Sequence, residues 1–136
     1  MSQPSADLIR GVALFSDLDD KTLERLAGEF VERHFDEGVE IATEGVDGLN
    51  FFIVATGEAS ITVHGNQVAT LGPGSSFGEV ALVDKSARSA TVTATTSMVA
   101  YALPVWSFRP FIQERPELAW KLLETLAEML RTAQSR

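Results

Sequence analysis

The spacing of apolar residues along the chain first follows a helical period. Apolar residues between positions 7 and 15 are typical of a short helix that leads into a turn at Ser16 and Asp17. A second helix is predicted to begin after Asp19, whose carboxylate is suited to an N-cap. Leu18, just before it, is placed to pack on Leu23. Its apolar positions repeat every three or four residues: Leu23, Leu26, Ala27 and Phe30.

From Phe30 the period changes to two, and the chain is predicted to form short strands separated by turns. Residues 51–54 are a continuous apolar run of strand length, and residues 64–67 are predicted to be a hairpin turn. The predicted strands span 31–35, 39–43, 50–55, 59–63, 68–71, 88–95 and 98–103. This close, regular spacing of strands and turns predicts an antiparallel sandwich or barrel of about eight strands.

After Pro104 the helical period returns, and Pro116 suits the first position of a terminal helix. One row of this helix is made of leucines, at positions 118, 122, 126 and 130. The row is typical either of a helix packed on a core or of a dimer seam, and the sequence leaves both open. Helices at both ends of an antiparallel β region predict the α+β class.

Length and composition predict one globular domain that spans residues 1–136. Hydrophobic residues make up 45% of the chain and charged residues 22%, which is typical of a globular protein. The sequence has no cysteine, so disulfides and thiolate metal sites are excluded. Its two histidines are interpreted as a strand residue (His34) and a turn residue (His64), so no metal site is predicted.

The net charge and the lengths of the apolar runs limit the classes of partner that the chain is predicted to bind. A net charge of −8 argues against nucleic acid as a direct partner, since such proteins need a basic face to neutralise phosphates. No run approaches the roughly 20 apolar residues that span a bilayer, so no membrane association is predicted. Residues 1–10 show no secretory signal, and we expect a cytoplasmic location.

The segment from Phe77 to Val92 carries the strongest functional signal. Gly78 lets the backbone approach a ligand closely, because it has no Cβ. Glu79 can accept hydrogen bonds from hydroxyls, and Arg88 can bind a phosphate with two parallel N–H···O bonds. A ligand that carries a sugar hydroxyl close to an anionic phosphate would satisfy both charges.

This segment closely resembles the phosphate-binding cassette of the cyclic nucleotide-binding domain family, which includes the catabolite activator protein and the regulatory subunits of cAMP-dependent protein kinase. Further motifs follow in the family's order, at residues 35–38, 44–45, 51–54, 57–58 and 71–74. The helix from Pro116 is similar to the family helix that closes over the ligand. The resemblance implies an antiparallel β-roll, a jelly-roll-like double-stranded β-helix, flanked by N-terminal helices and a C-terminal closing helix.

The resemblance also implies a role for each matched residue. Glu79 would hydrogen-bond the ribose 2′-hydroxyl, and Arg88 would pair with the cyclic phosphate. Ser89 would add a hydroxyl to the phosphate. The backbone N–H groups that face the anion would come from Gly78, Val80 and Ala81. Small or apolar positions complete the set: Ala90 beside Ser89, and Val68 and Leu71 as the wall of the base pocket.

Three functions are weighed. The first is a cAMP sensor whose C-terminal helix repositions when the ligand binds; a serine at position 89 resembles bacterial cAMP-responsive regulators, with cGMP as the alternative ligand. The second is a degenerate member that binds no nucleotide and serves as a protein-interaction scaffold. The third is an enzyme, which we do not predict, because Glu79 and Arg88 suit charge binding rather than proton transfer and no nucleophile–base pair is evident.

The expected ligand is therefore a cyclic nucleotide, with no catalytic residues and no cofactor. No helix-turn-helix, kinase or channel segment follows the terminal helix in the sequence. We accordingly expect either that an effector protein of unknown identity acts in trans or that the sequence is one piece of a longer protein. A homodimer along the C-terminal helix is a further expected assembly.

Overall fold

The computed structural model describes residues 2–45, 49–78, 82, 88 and 90–134. Its helices are α1 (Ala6–Arg10), a 3₁₀ turn (Ala13–Phe15), α2 (Asp20–Ala27), α3 (Val105–Gln113) and α4 (Pro116–Gln134). Its strands are β1 (Val31–Phe35), β2 (Glu40–Ala42), β3 (Asn50–Thr56), β4 (Ala59–Val63), β5 (Asn66–Leu71), β6 (Ser76–Phe77), β7 (Thr91–Ala94) and β8 (Met98–Pro104).

The strands of the described residues form two four-stranded sheets in which every pairing is antiparallel. The first sheet has the order β1-β8-β3-β6, and the second has the order β2-β7-β4-β5. Apart from the β4–β5 hairpin, neighbours in each sheet are not consecutive in the chain, so the strands wind back and forth between the two sheets. This arrangement, with helices before and after it, confirms the α+β class and the antiparallel β-roll.

Strand β3 is buried on both faces, which explains its unbroken apolar sequence. Phe51 and Ile53 point into a helical core, which also contains apolar residues of α1, α2, α3 and α4. Phe52 and Val54 point to the other side, into an inter-sheet core between the two sheets. All four side chains are buried. The first sheet is thus the middle layer of three, with the helices on one side and the second sheet on the other.

The helix starts follow the capping chemistry expected from the sequence. Asp19 has extended backbone and its carboxylate accepts a hydrogen bond from the Thr22 N–H at 2.8 Å. The hydrogen bonds from Thr22 also hold the pKa of Asp19 below its ordinary value. Pro116 is the first residue of α4, as predicted, where its missing N–H costs no helical hydrogen bond.

The leucine row of α4 divides along its length. Leu118 and Leu122 are buried in the helical core, and Leu126 packs against it. Leu130 is 59% exposed. Helix α4 packs mainly on the 3₁₀ turn and on α3. The first part of the row is therefore core, and the last leucine lies on the surface.

Several strand boundaries differ from the prediction, and one strand was not predicted. The hairpin turn has two residues, His64 and Gly65, with φ of 52° and 81°, so Asn66 already pairs with Val63 in the ladder. Strand β6 was not predicted, because two residues are too short to show a period. Strand β7 begins at Thr91 rather than at residue 88, and Ala90, just before it, lies in a bend.

Within the described residues, no helix combines the length and the apolar character that crossing a membrane requires.

Phe51 is the residue whose truncation we expect to destabilise the fold most clearly. Its ring packs edge-on against Phe15 at 5.9 Å and against Phe30 at 6.4 Å between centroids. Phe51→Ala should lower the free energy of unfolding by about 3–5 kcal/mol, because the cavity would lie between β3 and the helices. Urea unfolding followed by circular dichroism measures this change.

Trp106→Ala is the matched aromatic control, because the Trp106 side chain is 62% exposed. Its effect should stay within about 0.5 kcal/mol. Equal losses in the two variants would contradict the assignment of Phe51 to the helical core.

Candidate functional site

The half-buried Arg88 side chain is oriented by the start of strand β3. Its Nη2 donates a hydrogen bond to the main-chain carbonyl of Asn50, the first residue of that strand. The register partner of Asn50 in β8 is Pro104, which has no N–H to donate. A guanidinium is planar and rigid, so one such bond restricts the direction of the whole fork.

Gly78 follows β6 and lies directly against the Arg88 guanidinium. A Cβ built at position 78 would overlap Arg88 Nη1 and would lie 2.9 Å from the Asn50 carbonyl oxygen. The Gly78 backbone also has φ of 87°, a conformation that side-chain-bearing residues rarely adopt. Both the positive φ and the close approach to the Asn50 carbonyl oxygen therefore favour glycine at this position. The structure also brings together two of the residues predicted from the cassette.

Glu44 and Gly45, in the turn after strand β2, hold the backbone near Arg88. The Gly45 N–H donates to the Arg88 carbonyl oxygen at 2.9 Å. The preceding N–H, that of Glu44, donates to Thr91 Oγ1 at 2.9 Å. These bonds fix the main chain of Arg88 relative to β2 and β7, so that its side chain and its backbone are both positioned.

Between Gly78 and Arg88 in the chain, Leu82 is 1% exposed and belongs to the helical core. Leu82 thereby places one residue of the predicted cassette in the same core as helix α4. Four predicted site residues lie outside the described residues: Glu79, Val80, Ala81 and Ser89.

The two residues predicted for the base pocket lie on β5, the edge strand of the second sheet. Val68 is 60% exposed and sits at a bulge, because Ile61 pairs with Ala69 while Thr62 pairs with Gln67. Leu71 is half-buried and packs against the inter-sheet core. Ala90, also half-buried, lies just before β7.

A second polar cluster lies on β1 and β8. Ser2 Oγ donates to Glu32 Oε1 and lies 2.8 Å from the Tyr101 hydroxyl, while His34 Nε2 lies 2.7 Å from Glu32 Oε2. The contacts with Ser2 and His34 hold the pKa of Glu32 below its ordinary value. Ser2 and His34 thus each bond to Glu32 rather than to one another.

Across the described parts of the chain, no three histidine or carboxylate side chains gather as metal ligands. Sequence reasoning did not identify Asn50 or Gly45 as parts of the site. Both act through main-chain groups, which every residue type carries, so no side-chain signal could have indicated them.

Residues 32–115 match the family model described as "Cyclic nucleotide-binding domain". This match covers more than half of the chain, and the chain belongs to the cyclic nucleotide-binding domain family.

Individual relatives agree with this family. The chain is 37% identical over 99 residues to a cAMP-dependent protein kinase regulatory subunit of Yarrowia lipolytica, an alignment that covers 73% of this chain and 26% of the relative. The structure is similar to the N-terminal domain of a transcriptional regulator from Streptomyces coelicolor A3(2), with a TM-score of 0.87, 30% identity and coverage of 95% of this chain and 96% of that one. The Thermus thermophilus catabolite activator protein gives a TM-score of 0.73 at 30% identity, over 90% of this chain and 60% of that one.

The contact between Gly78 and Arg88 predicts a specific sensitivity to an added methyl group. Gly78→Ala should lower the free energy of unfolding by about 1–3 kcal/mol through backbone strain, and by more because the new Cβ would press on the Asn50 carbonyl oxygen and displace the guanidinium. Thermal and urea unfolding measure the loss.

Gly74→Ala is the matched control, because Gly74 has nearly the same φ of 88° but nothing within 4 Å of a built Cβ. The difference between the two variants isolates the overlap. If both lose the same stability, the close approach of Arg88 to Gly78 is wrong.

Proposed function

We propose that this domain is a regulatory sensor that binds cAMP and catalyses no reaction. The observation that carries the proposal is the Arg88 guanidinium, which is half-buried, oriented by the Asn50 carbonyl and set directly against Gly78. A cation fixed in this way matches the ligand of the family to which the chain belongs, an anionic cyclic phosphate.

In the proposed complex Arg88 binds the exocyclic phosphate oxygens through two N–H groups. Glu79 accepts a hydrogen bond from the ribose 2′-hydroxyl, and the Ser89 hydroxyl adds a bond to the phosphate. Backbone N–H groups of Gly78, Val80 and Ala81 face the anion. Ala90 leaves space beside Ser89, because its side chain is a single methyl group.

The base is proposed to lie against β5, where Val68 and Leu71 supply apolar surface. The 60% exposure of Val68 supports this position of the base, because covering a large exposed apolar side chain with a ligand is energetically favourable. Adenine is preferred over guanine because the Yarrowia lipolytica relative is named for cAMP and because serine follows Arg88.

Regulation requires that ligand binding reach a surface that an effector can recognise. Leu82 lies in the helical core together with Leu118 and Leu122 of α4. A shift of the cassette on ligand binding would therefore change the packing under α4. We propose that ligand binding shifts an equilibrium between two positions of this helix. An effector protein acting in trans would recognise the shifted position.

Helix α4 also supplies the proposed homodimer contact. Its exposed side carries Trp120, Leu123, Ala127 and Leu130, whose spacing of three, four and three residues is that of a coiled-coil seam. Trp120, Leu123 and Leu130 are between 54% and 69% exposed. A second copy of the chain covers this seam, because the same spacing on both helices lets the two apolar rows interlock.

Calorimetric titration of nucleotide-stripped protein with cAMP and cGMP tests the ligand site. The native chain should bind cAMP, and Arg88→Ala should weaken binding by about 2–5 kcal/mol, because the phosphate loses its charge partner. Arg109→Ala is the matched control, since Arg109 is exposed on α3; its affinity should equal that of the native chain.

Other results would change the proposal. Preferential binding of cGMP would keep the site and overturn the choice of base. Native-like affinity in Arg88→Ala would overturn the site. No heat with either nucleotide, with an unchanged melting temperature at saturating ligand, would favour the protein-interaction scaffold.

Sedimentation velocity tests the dimer. The native chain should sediment as a dimer at micromolar concentration, and Leu123→Glu should sediment as a monomer, because a buried carboxylate in the seam has no partner. Thr132→Glu adds the same charge at an exposed position of α4 away from the seam and should remain dimeric. A native chain that stays monomeric at about 100 μM, a concentration that saturates any contact of micromolar affinity, would overturn the assembly.

A further inference from the structure

Glu44 makes contacts that the cyclic nucleotide contacts proposed above do not use. Its carboxylate holds the tip of the β4–β5 hairpin at two points: Oε1 accepts a hydrogen bond from the His64 N–H at 2.9 Å, and Oε2 lies 3.1 Å from His64 Nδ1. The Glu44 side chain is 28% exposed, whereas the His64 side chain is 84% exposed. The carboxylate is therefore the more enclosed partner and the hairpin tip is the part that it restrains.

The position of these residues in the second sheet makes the contact unusual. Glu44 follows β2, and His64 follows β4, and these strands lie on opposite sides of β7. Strands separated by one neighbour are about 10 Å apart, twice the ordinary spacing. The Glu44 side chain consequently bridges the sheet across the entrance to β7, just where the chain arrives from Arg88.

The main-chain N–H groups of Glu44 and of the next residue, Gly45, bond to the chain at the entrance to β7. The Glu44 N–H donates to Thr91 Oγ1, and the Gly45 N–H donates to the Arg88 carbonyl oxygen, each at 2.9 Å. One dipeptide thus connects the backbone of Arg88 with the tip of the hairpin. The second strand of that hairpin, β5, carries Val68 and Leu71.

We propose that Glu44 is a positioning residue that sets the distance between the phosphate-binding half and the base-binding half of the ligand site. This inference rests on the proposed function, because it assumes that Arg88 and β5 bind the same nucleotide. With the carboxylate in place, the hairpin tip is fixed relative to Arg88 before ligand arrives, and less ordering is needed on binding. Without it, the tip is restrained only by the strand ladder.

The backbone conformation of His64 gives the Glu44 carboxylate a second role. His64 has φ of 52°, the left-handed region, as the first residue of its two-residue turn. Its N–H points out of the β4–β5 ladder toward Glu44 and would otherwise be left to solvent. The carboxylate therefore stabilises the turn conformation as well as its position.

The experiment compares Glu44→Ala, Glu44→Gln and the native chain by two measurements: amide hydrogen exchange of ligand-free protein, and calorimetric titration with cAMP. In Glu44→Ala the His64 amide should exchange about tenfold faster, and cAMP binding should weaken about fivefold to tenfold, as the loss of one charge-assisted hydrogen bond implies. Glu44→Gln keeps an amide oxygen for the His64 N–H and should bind within about twofold of the native chain.

Glu40→Ala is the matched control. Glu40 is an exposed carboxylate on β2, the strand that Glu44 follows, and accepts a hydrogen bond from the Thr43 hydroxyl rather than from the hairpin. It removes one negative charge from the neighbourhood without releasing the tip, so cAMP affinity should not change. Melting temperatures of all variants, recorded without ligand, separate a change of position from a loss of fold.

Each result decides the inference. Faster exchange at His64 with weaker cAMP binding, both reversed in Glu44→Gln, supports it. Faster exchange with native affinity overturns the positioning role, and unchanged exchange overturns the contact itself. Equal weakening in Glu40→Ala would assign the effect to charge and overturn the inference. A native chain that binds no cAMP overturns the proposed function and this inference with it, a result distinct from loss in the variant alone.

Discussion

The burial of strand β3 on both of its faces is the constraint on which the rest of the structure depends. One face of the strand completes the helical core through Phe51 and Ile53, and the other completes the inter-sheet core through Phe52 and Val54. Neither core would be complete without this strand, because its side chains fill part of both. The three layers of the molecule therefore follow from an apolar run of four residues.

The same strand connects the scaffold to the site. Asn50, its first residue, offers the carbonyl oxygen that orients Arg88, and Gly78 closes on the guanidinium from the end of β6. Strand β6 in turn pairs with β3, and the Phe52 and Phe77 rings stack at 5.0 Å between centroids. A cation is thus placed beside a strand whose central side chains are buried in both cores, a support that restricts where the guanidinium can lie.

The two cores give the site two different supports. Leu82 joins the cassette segment to the helical core, where α4 also packs, while β5 belongs to the sheet that encloses the inter-sheet core. The two sides of the proposed site are therefore supported by different cores, one shared with helix α4 and one enclosed between the sheets.

The sequence by itself determined the classes of the elements, the N-cap at Asp19, the start of α4 at Pro116 and, through the ordered glycine, glutamate and arginine motifs, the family. These features depend on neighbours a few residues apart, so local chemistry suffices. Only the tertiary structure decided that Asn50 would orient Arg88 and that Glu44 would bridge two strands to His64. Such contacts join residues 38 and 20 positions apart, often through main-chain groups common to every residue, and no local pattern encodes them.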